Sequence, residues 1–428
     1  MKKQSVACCL CVHGILVLIT TPGLAQEMER HSASDRSRLS IEAKIELDIS
    51  GEYNYELKDD GEYTYTIEPS AELEIKYEYT DDMEIVAVIE YGREMKDGND
   101  DREREYQSSL DVDEAFVEFL NLPVMHSSLE DIALTLGRSK ISDSREWFYD
   151  AGVDGLVLEA TSKIADTDLL FSVNREEWIG SDMLRSNETD TVTNLLVVVT
   201  HKPIKSTEIG AYGIIRKDSS SDNDSPVFVG LSARGELFNK RLDFWSDFIM
   251  VTGEEEDEPI SGNGFDLGAT WMLTESGKFY ATMGYAFGSG DGDVDSDFRQ
   301  TGLHGNSGNF GGIASFKYYG EVVEPELSNL KILTAGIGFR PKNRMSLDLI
   351  YHQYAQDVAL DELRDTNLDT DPNGESTDIG AELDLVAAYE GKSGVETELV
   401  MGYFQPGKAF DDDAEDALLI NVTFTYAF

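Results

Sequence analysis

The sequence predicts an all-β protein, a transmembrane antiparallel β-barrel of about 18 strands with short periplasmic turns and long extracellular loops. Three observations predict it: alternating segments along the whole chain, a succession of short and long connections, and an aromatic last strand. From Leu418 to Phe428 every second residue is large and apolar, and most of the residues between are small or polar. Successive side chains of a strand point to opposite faces, so one face suits lipid and the other a wet lumen.

The same alternation recurs in earlier segments. The stretch from Leu39 to Ser50 alternates apolar with mostly charged residues, and the stretch from Phe279 to Phe287 alternates large apolar with mostly small residues. Further alternating segments begin at Ala71, Ile85, Leu333 and Ile379. Alternation over four to eight residues is the primary signal of a half-buried strand. The chain therefore supplies many candidate wall strands.

The connections between these segments are alternately short and long. Pro341-Lys342 is a short one, whereas 288–329 and 355–377 are long and polar. A secreted β-helix would need a short internal repeat, which the sequence lacks, and a sandwich would not alternate its connections along the whole chain. About 18 strands enclose an interior too wide for wall side chains to fill, so a channel is expected.

The first residues predict export from the cytoplasm. Residues 1–25 begin with Lys2 and Lys3, continue with an apolar stretch and end on Ala25, which is typical of a signal peptide. Residues 26–428 would form the barrel. The only three cysteines, Cys8, Cys9 and Cys11, lie in this leader. A mature chain without thiols suits a barrel of the Gram-negative outer membrane.

The formal net charge is −48. It excludes nucleic acid as a partner of the chain as a whole, because phosphates need a basic footprint. We find no nucleophile–base pair, histidine cluster or phosphate-binding glycine loop, so no enzyme activity, cofactor or metal is expected. A glycosidase-like carboxylate pair is not excluded by residue type, but nothing singles one out. The acidic start of the loop at 288–329 lacks the full Ca²⁺-loop pattern.

Two loops stand out from the acidic ones. The loop at 142–152 places Trp147, Phe148 and Tyr149 beside Arg145. This aromatic trio either folds into the barrel mouth or belongs to an interfacial girdle, where Trp and Tyr are enriched. The loop at 288–329 is long enough to be functional or disordered, and its aromatic and glycine content favours order. We expect it to fold into the lumen as a constriction.

Several longer motifs resemble those of the alginate export family. They read FRQTGLH at Phe298–His304, YYGE at Tyr318–Glu321, PELSNLKILTAG at Pro325–Gly336, GRS at Gly137–Ser139, SREWFYD at Ser144–Asp150 and VDGL at Val153–Leu156. The rest of the chain matches in pattern only. The resemblance implies a monomeric outer-membrane barrel that passively exports an anionic uronic-acid polysaccharide. Outer-membrane lipid and a periplasmic secretion scaffold would be its other partners.

The resemblance also implies cationic residues at the pore constriction. Arg138, Arg145 and Arg299 match family positions by motif, and Lys44 joins them because its parity points it into the lumen. Guanidinium groups pair with carboxylates bidentately, and several weak sites in series let a polymer bind and still leave. Arg138 follows Leu136 at period two, which would place it on the lipid face unless a bulge turns it inward.

The acidity of the chain leaves two alternatives open. If the acidic residues lie on external loops and the basic ones at the pore constriction, the local electric field permits a polyanion to pass. If acidic residues instead determine the charge at the constriction, the barrel would be a general or cation-selective porin. The candidates are Glu42, Glu72, Glu74 and Glu382. A third possibility is a structural or adhesive surface barrel whose long loops bind partners.

Overall fold

The computed structural model describes residues 38–59, 61–98, 105–123, 129–162, 166–176, 180–184, 192–219, 224–255, 258–290, 292 and 297–428. The predicted leader lies outside these residues. In chain order the strands are β1 (Arg38–Tyr53), β2 (Tyr63–Thr80), β3 (Met83–Gly98), β4 (Glu105–Phe119), β5 (Leu129–Ser142), β6 (Asp150–Ser162), β7 (Thr167–Arg175), β8 (Thr193–Ile204), β9 (Thr207–Lys217), β10 (Val227–Leu237), β11 (Leu242–Glu255), β12 (Glu258–Met272), β13 (Phe279–Gly288), β14 (Ser307–Gly308), β15 (Phe316–Lys317), β16 (Leu330–Lys342), β17 (Met345–Gln356), β18 (Asp378–Glu390), β19 (Val395–Pro406) and β20 (Ala417–Ala427).

All but two of these strands form one sheet of 18 strands, and every neighbouring pair is antiparallel. The sheet closes because β1 pairs with β20, from Lys44 opposite Ala427 to Tyr53 opposite Leu418. The exceptions, β14 and β15, form a small hairpin inside the connection from β13 to β16. The predicted barrel is therefore confirmed, and the C-terminal strand closes it.

The outer face of the barrel is apolar, as the alternation predicts. On β20 the side chains of Ile420 and Phe424 are exposed on this face, whereas the intervening Asn421 and Thr423 point inward. Near the periplasmic end, Phe279 stacks on Phe339 with ring centroids 4.5 Å apart. Aromatic residues at this level are typical of the membrane interface. Within the described residues, no helix is long and apolar enough to cross a membrane.

The lumen has two unlike sides. We call β1–β4 the open side, because β1, β2 and β4 carry no buried residue. We call β8–β13 and β16–β19 the filled side, because their lumen-facing residues are largely buried. On β17 the six that alternate inward are all buried: Ser346, Asp348, Ile350, His352, Tyr354 and Gln356. Loops that fold into the lumen cover the filled side, and the apolar core lies between them and the wall.

Candidate pore and its lining

The connection between β13 and β16, which we call the lumen loop (residues 289–329), folds into the barrel as expected over its described residues, 289, 290, 292 and 297–329. One of its anchors on the wall is Glu382 of β18. The Glu382 carboxylate accepts hydrogen bonds from the backbone N–H groups of Val322 at 2.6 Å and Val323 at 3.1 Å. It also accepts one from the Tyr354 hydroxyl at 2.9 Å. A buried carboxylate needs such donors, so loop and wall satisfy each other.

A second acidic residue, Glu326, holds the lumen loop together from within. Its carboxylate accepts a hydrogen bond from the Gln300 backbone N–H at 2.5 Å and pairs with Arg364 Nε at 3.2 Å. Burial raises the pKa of Glu326 to about 7, although Arg364 opposes the shift. Gln300 and Asn306 exchange side-chain amide hydrogen bonds of 2.9 Å. The loop is therefore ordered by its own polar residues.

The lumen loop crosses from the filled side towards the open side. Phe310 stacks on Trp245 of β11 with ring centroids 5.7 Å apart. Ala314 lines a cavity of about 230 Å³ together with Glu46 of β1 and Glu398 of β19. These contacts confirm that the loop lies inside the barrel. The loop therefore narrows the lumen. Most acidic residues of its first part, at 291, 293 and 295, lie outside the described residues, and so does most of the incomplete Ca²⁺-loop pattern.

The aromatic trio of the loop between β5 and β6 also packs inside the barrel. The rings of Trp147 and Phe148 are almost fully buried. Trp147 Nε1 donates a hydrogen bond of 2.7 Å to the Tyr319 hydroxyl of the lumen loop. Phe148 stacks on Tyr212 of β9 at 4.0 Å. The alternative of an interfacial girdle is therefore wrong, because the trio packs between the two inserted loops and the wall and joins them.

Arg145, a predicted pore residue, lies at the centre of this cluster. Its guanidinium pairs with Asp266 at 2.9 Å and Asp247 at 3.5 Å. It also stacks on the rings of Trp245 and Tyr318, 4.4 and 4.5 Å from their centroids. Burial alone would lower the pKa of Arg145, but the neighbouring carboxylates outweigh it and the pKa lies above its ordinary value. Arg145 is thus a charged group inside the inserted structure.

Arg234 of β10 completes the same network. Its guanidinium pairs with Asp143 at 2.8 Å and with Asp247 at 3.0 Å. Arg145 and Arg234 both line a cavity of about 370 Å³ beneath the lumen loop. Three carboxylates, Asp143, Asp247 and Asp266, thus compensate two buried guanidinium groups. Such buried pairs fix the geometry of the site, because removing one partner would leave an uncompensated charge.

Arg299 lies near the extracellular end of the filled side. It is buried and lines a cavity of about 170 Å³ together with Arg216 of β9 and Arg364. Burial and the proximity of Arg364 lower the pKa of Arg299 to about 10, so it remains charged at neutral pH. Four acidic residues line the same cavity: Asp218, Asp224, Glu326 and Asp365. We call Arg216, Arg299 and Arg364 the arginine cluster; only Arg299 was predicted from the sequence.

Arg138 lies in the barrel wall. The register pairs it with Ala115 on β4 and Asp154 on β6, on the lipid-facing side that its period predicts. Its Nε and Nη2 donate to the two Asp154 carboxylate oxygens at 2.7 and 2.8 Å. Its Nη1 donates to the Val112 carbonyl at 3.0 Å. The pairing of β4 with β5 ends at this row, and Val112 lies beyond it. Arg138 therefore supplies the Val112 carbonyl with a hydrogen bond that β5 does not provide.

Lys44 projects into the lumen on the open side, as its parity predicts. Its ammonium lies 3.2 Å from Glu72 and 4.0 Å from Glu46. Carboxylate oxygens of Glu72, Glu90 and Asp113 all lie within 4.8 Å of one another beside it. Lys44 thus faces a group of half-exposed acidic residues on adjacent strands. The structure does not bring the four predicted cations together at one narrow ring.

A closed barrel of 18 antiparallel strands with an apolar outer face and loops folded into its lumen defines an outer-membrane channel protein of a Gram-negative bacterium. Solved structures with this fold include OccK7 (OpdD) of Pseudomonas aeruginosa, with a TM-score of 0.59 and 12% identity over 92% of this chain and 98% of that one. The outer membrane protein OprD of the same organism gives a TM-score of 0.55 at 12% identity, over 91% and 93% of the two chains.

The chain belongs to the Alginate export family, whose profile matches residues 55–419. Alginate production protein AlgE of Pseudomonas aeruginosa is 29% identical over 192 residues, which cover 40% of this chain and 39% of that protein. AlgE of Azotobacter vinelandii is 28% identical over 141 residues, which cover 31% of this chain and 29% of that protein. The matched stretches thus span less than half the length of these curated relatives.

Proposed function

We propose that this protein is a passive channel for the export of an anionic polysaccharide, an alginate-like polyuronate. Membership of the Alginate export family and the similarity to proteins named for alginate production support this proposal. The arginine cluster is the observation that carries it. Three guanidinium groups gather at one cavity near the extracellular end of a chain whose net charge is −48, where four acidic residues also line the cavity. No chemical step is needed, and a single barrel suffices for transport.

The proposed contacts follow from charge and position. Each sugar of a polyuronate carries one carboxylate, and guanidinium groups match carboxylates bidentately. We assign Arg299 and Lys44 to successive polymer contacts, Arg145 to holding the inserted loops that shape the lumen, and Arg138 to support of the neighbouring wall. Each cation has a nearby carboxylate that weakens its attraction for the polymer, as in the pair of Lys44 and Glu72. Weak sites in series are what conduction requires.

A second candidate function is a cation-selective porin for small solutes. The open side favours it, because Glu46, Glu72, Glu90 and Asp113 are half-exposed to the lumen and Lys44 is the nearest cation among the described residues. Rings of carboxylates select cations in channels. The two candidates therefore differ in which side of the lumen determines the ion selectivity. The export proposal assigns it to the arginine cluster of the filled side, and the porin alternative assigns it to the acidic residues of the open side.

The reversal potential of single channels under a KCl gradient, with and without added polyuronate, separates the two candidates. We expect anion selectivity and block by polyuronate. The double variant Arg216→Gln/Arg364→Gln should weaken the block roughly tenfold or more, because a hydrogen bond to a charged group contributes about 1.5–3 kcal/mol.

The matched control is Arg241→Gln/Arg344→Gln, which removes the same charge from two periplasmic turns. It should leave the block unchanged. Cation selectivity that is indifferent to polyuronate would overturn the export proposal and support the porin. Equal weakening by both double variants would show that net charge, and not the arginine cluster, controls the block.

A further inference from the structure

A charged row runs along the outer rim of five neighbouring strands. The register aligns one residue from each strand: Arg138 of β5, Asp154 of β6, Arg175 of β7, Thr193 of β8 and Lys217 of β9. It is the last ladder row of β6 to β9 before the extracellular loops. We call it the rim row. It carries three cations and one carboxylate in a protein that is otherwise strongly acidic.

An apolar row lies directly beneath the rim row on the same face. The register again aligns one residue from each strand: Leu136, Leu156, Val173, Leu195 and Ile215. Leu136, Val173 and Ile215 are 40, 43 and 45% exposed on this outer face, as expected of lipid contacts. Residues two positions apart along a strand are separated by roughly 7 Å. The rim row therefore stands one step above the apolar surface, at the level of lipid headgroups.

We propose that the rim row binds the phosphate groups of lipid headgroups in the outer leaflet. Arg175 and Lys217 are the contact residues, two strands and so roughly 10 Å apart. Thr193 lies between them and accepts a hydrogen bond of 3.2 Å from Arg175 Nε. Arg138 is held by Asp154 and supports the row from one end. Cationic side chains at this level reach headgroup phosphates while their stems cover apolar surface.

The charge of the protein gives this row its significance. A net charge of −48 disfavours contact between the protein as a whole and anionic headgroups. A local row of cations lets the barrel contact such lipids without that penalty. Phosphates favour guanidinium groups for bidentate bonds and ammonium groups as point charges, and the two contact residues offer one of each. The partner is therefore a phosphorylated lipid and not a neutral one.

The test compares the thermal unfolding midpoint of the full barrel in phosphatidylethanolamine vesicles with and without lipid A. Lipid A should raise the wild-type midpoint. The variant Arg175→Gln/Lys217→Gln should lose at least half of this increase. The control Lys240→Gln/Lys278→Gln removes the same charge from periplasmic turns and should keep the full increase. Dephosphorylated lipid A should give no increase with any variant.

Other outcomes decide against the proposal. An equal increase for the wild type and the rim-row variant would overturn it, as would an increase from dephosphorylated lipid A. Inorganic phosphate at the same concentration should not raise the midpoint; if it does, the row is a general phosphate site and lipid docking is refuted. If the double variant does not fold, Lys217→Gln alone serves, because this side chain is exposed. Channel measurements do not bear on these outcomes.

Discussion

The open and filled sides of the lumen use the same kind of strand for different purposes. Both alternate apolar residues with acidic ones, as Glu72 and Glu90 show on the open side and Glu382 and Asp384 on the filled side. On the open side the carboxylates are half-exposed to the lumen. On the filled side Glu382 is buried and bound to backbone N–H groups of the lumen loop. The role of an acidic wall residue therefore depends on whether an inserted loop lies opposite it.

The physical reason is desolvation. A carboxylate in a wet lumen keeps its hydration and needs no protein donor, whereas a buried one needs hydrogen bonds or a cation. The inserted loops supply both kinds of partner, since Val322 donates to Glu382 and Arg145 pairs with Asp266. The acidic wall of the filled side is thus a docking surface for loops. The acidic wall of the open side remains a lining.

The largest effect that this comparison predicts comes from Arg145→Ala. The change removes a buried guanidinium, which leaves Asp266 without its cation and Asp247 with Arg234 alone. We expect a loss of about 3–5 kcal/mol in the free energy of unfolding, as for other broken buried pairs. Denaturant titration of the barrel in vesicles would measure it. Arg344→Ala, in an exposed periplasmic turn, should change stability by less than about 0.5 kcal/mol. A loss for Arg145→Ala no greater than that of the control would contradict the contrast between the two sides.

A smaller effect concerns the pH dependence of the filled side. Burial raises the pKa of Glu326 to about 7, so the folded state binds this proton more tightly than the unfolded state does. The resulting stability is complete below the ordinary glutamate pKa of about 4.3 and is lost as the pH rises through about 7. We expect the unfolding free energy to fall by up to about 3 kcal/mol between pH 5 and pH 8 on account of this group.

Glu326→Gln tests that pH dependence, because the amide cannot ionise but still offers an oxygen to the Gln300 backbone N–H. Thermal unfolding midpoints at pH 5 and pH 8 should differ less in this variant than in the wild type. Glu324→Gln is the control, since Glu324 is a more exposed residue of the same loop. If the midpoints at pH 5 and pH 8 differed as much in Glu326→Gln as in the wild type, Glu326 would not be the source of the pH dependence.

The sequence predicts the wall far better than the lumen. Alternation determines which face of a strand meets lipid, so the closure by β20 and the inward parity of Lys44 could be predicted. The partners of Arg145 could not, because Asp247 and Asp266 lie 102 and 121 residues away along the chain. Arg364 was missed for the same reason, since only the folded loops bring it beside Arg299. Loop insertion creates these contacts, and no local period encodes it.

The smallest expected effect on stability belongs to Lys44→Ala on the open side. Its pair with Glu72 is partly exposed on both partners, at 34 and 26% of the side-chain surface. Pairs of this kind contribute about 0–1 kcal/mol, so the unfolding free energy should barely change. The charge in the lumen does change, and the reversal potential should move towards cation selectivity because Glu46 and Glu72 lose their nearest cation. Lys240→Ala, in a periplasmic turn, should leave both quantities unaltered. A stability loss close to that of Arg145→Ala would mean that Lys44 is enclosed by structure, and the division into an open and a filled side would then be wrong.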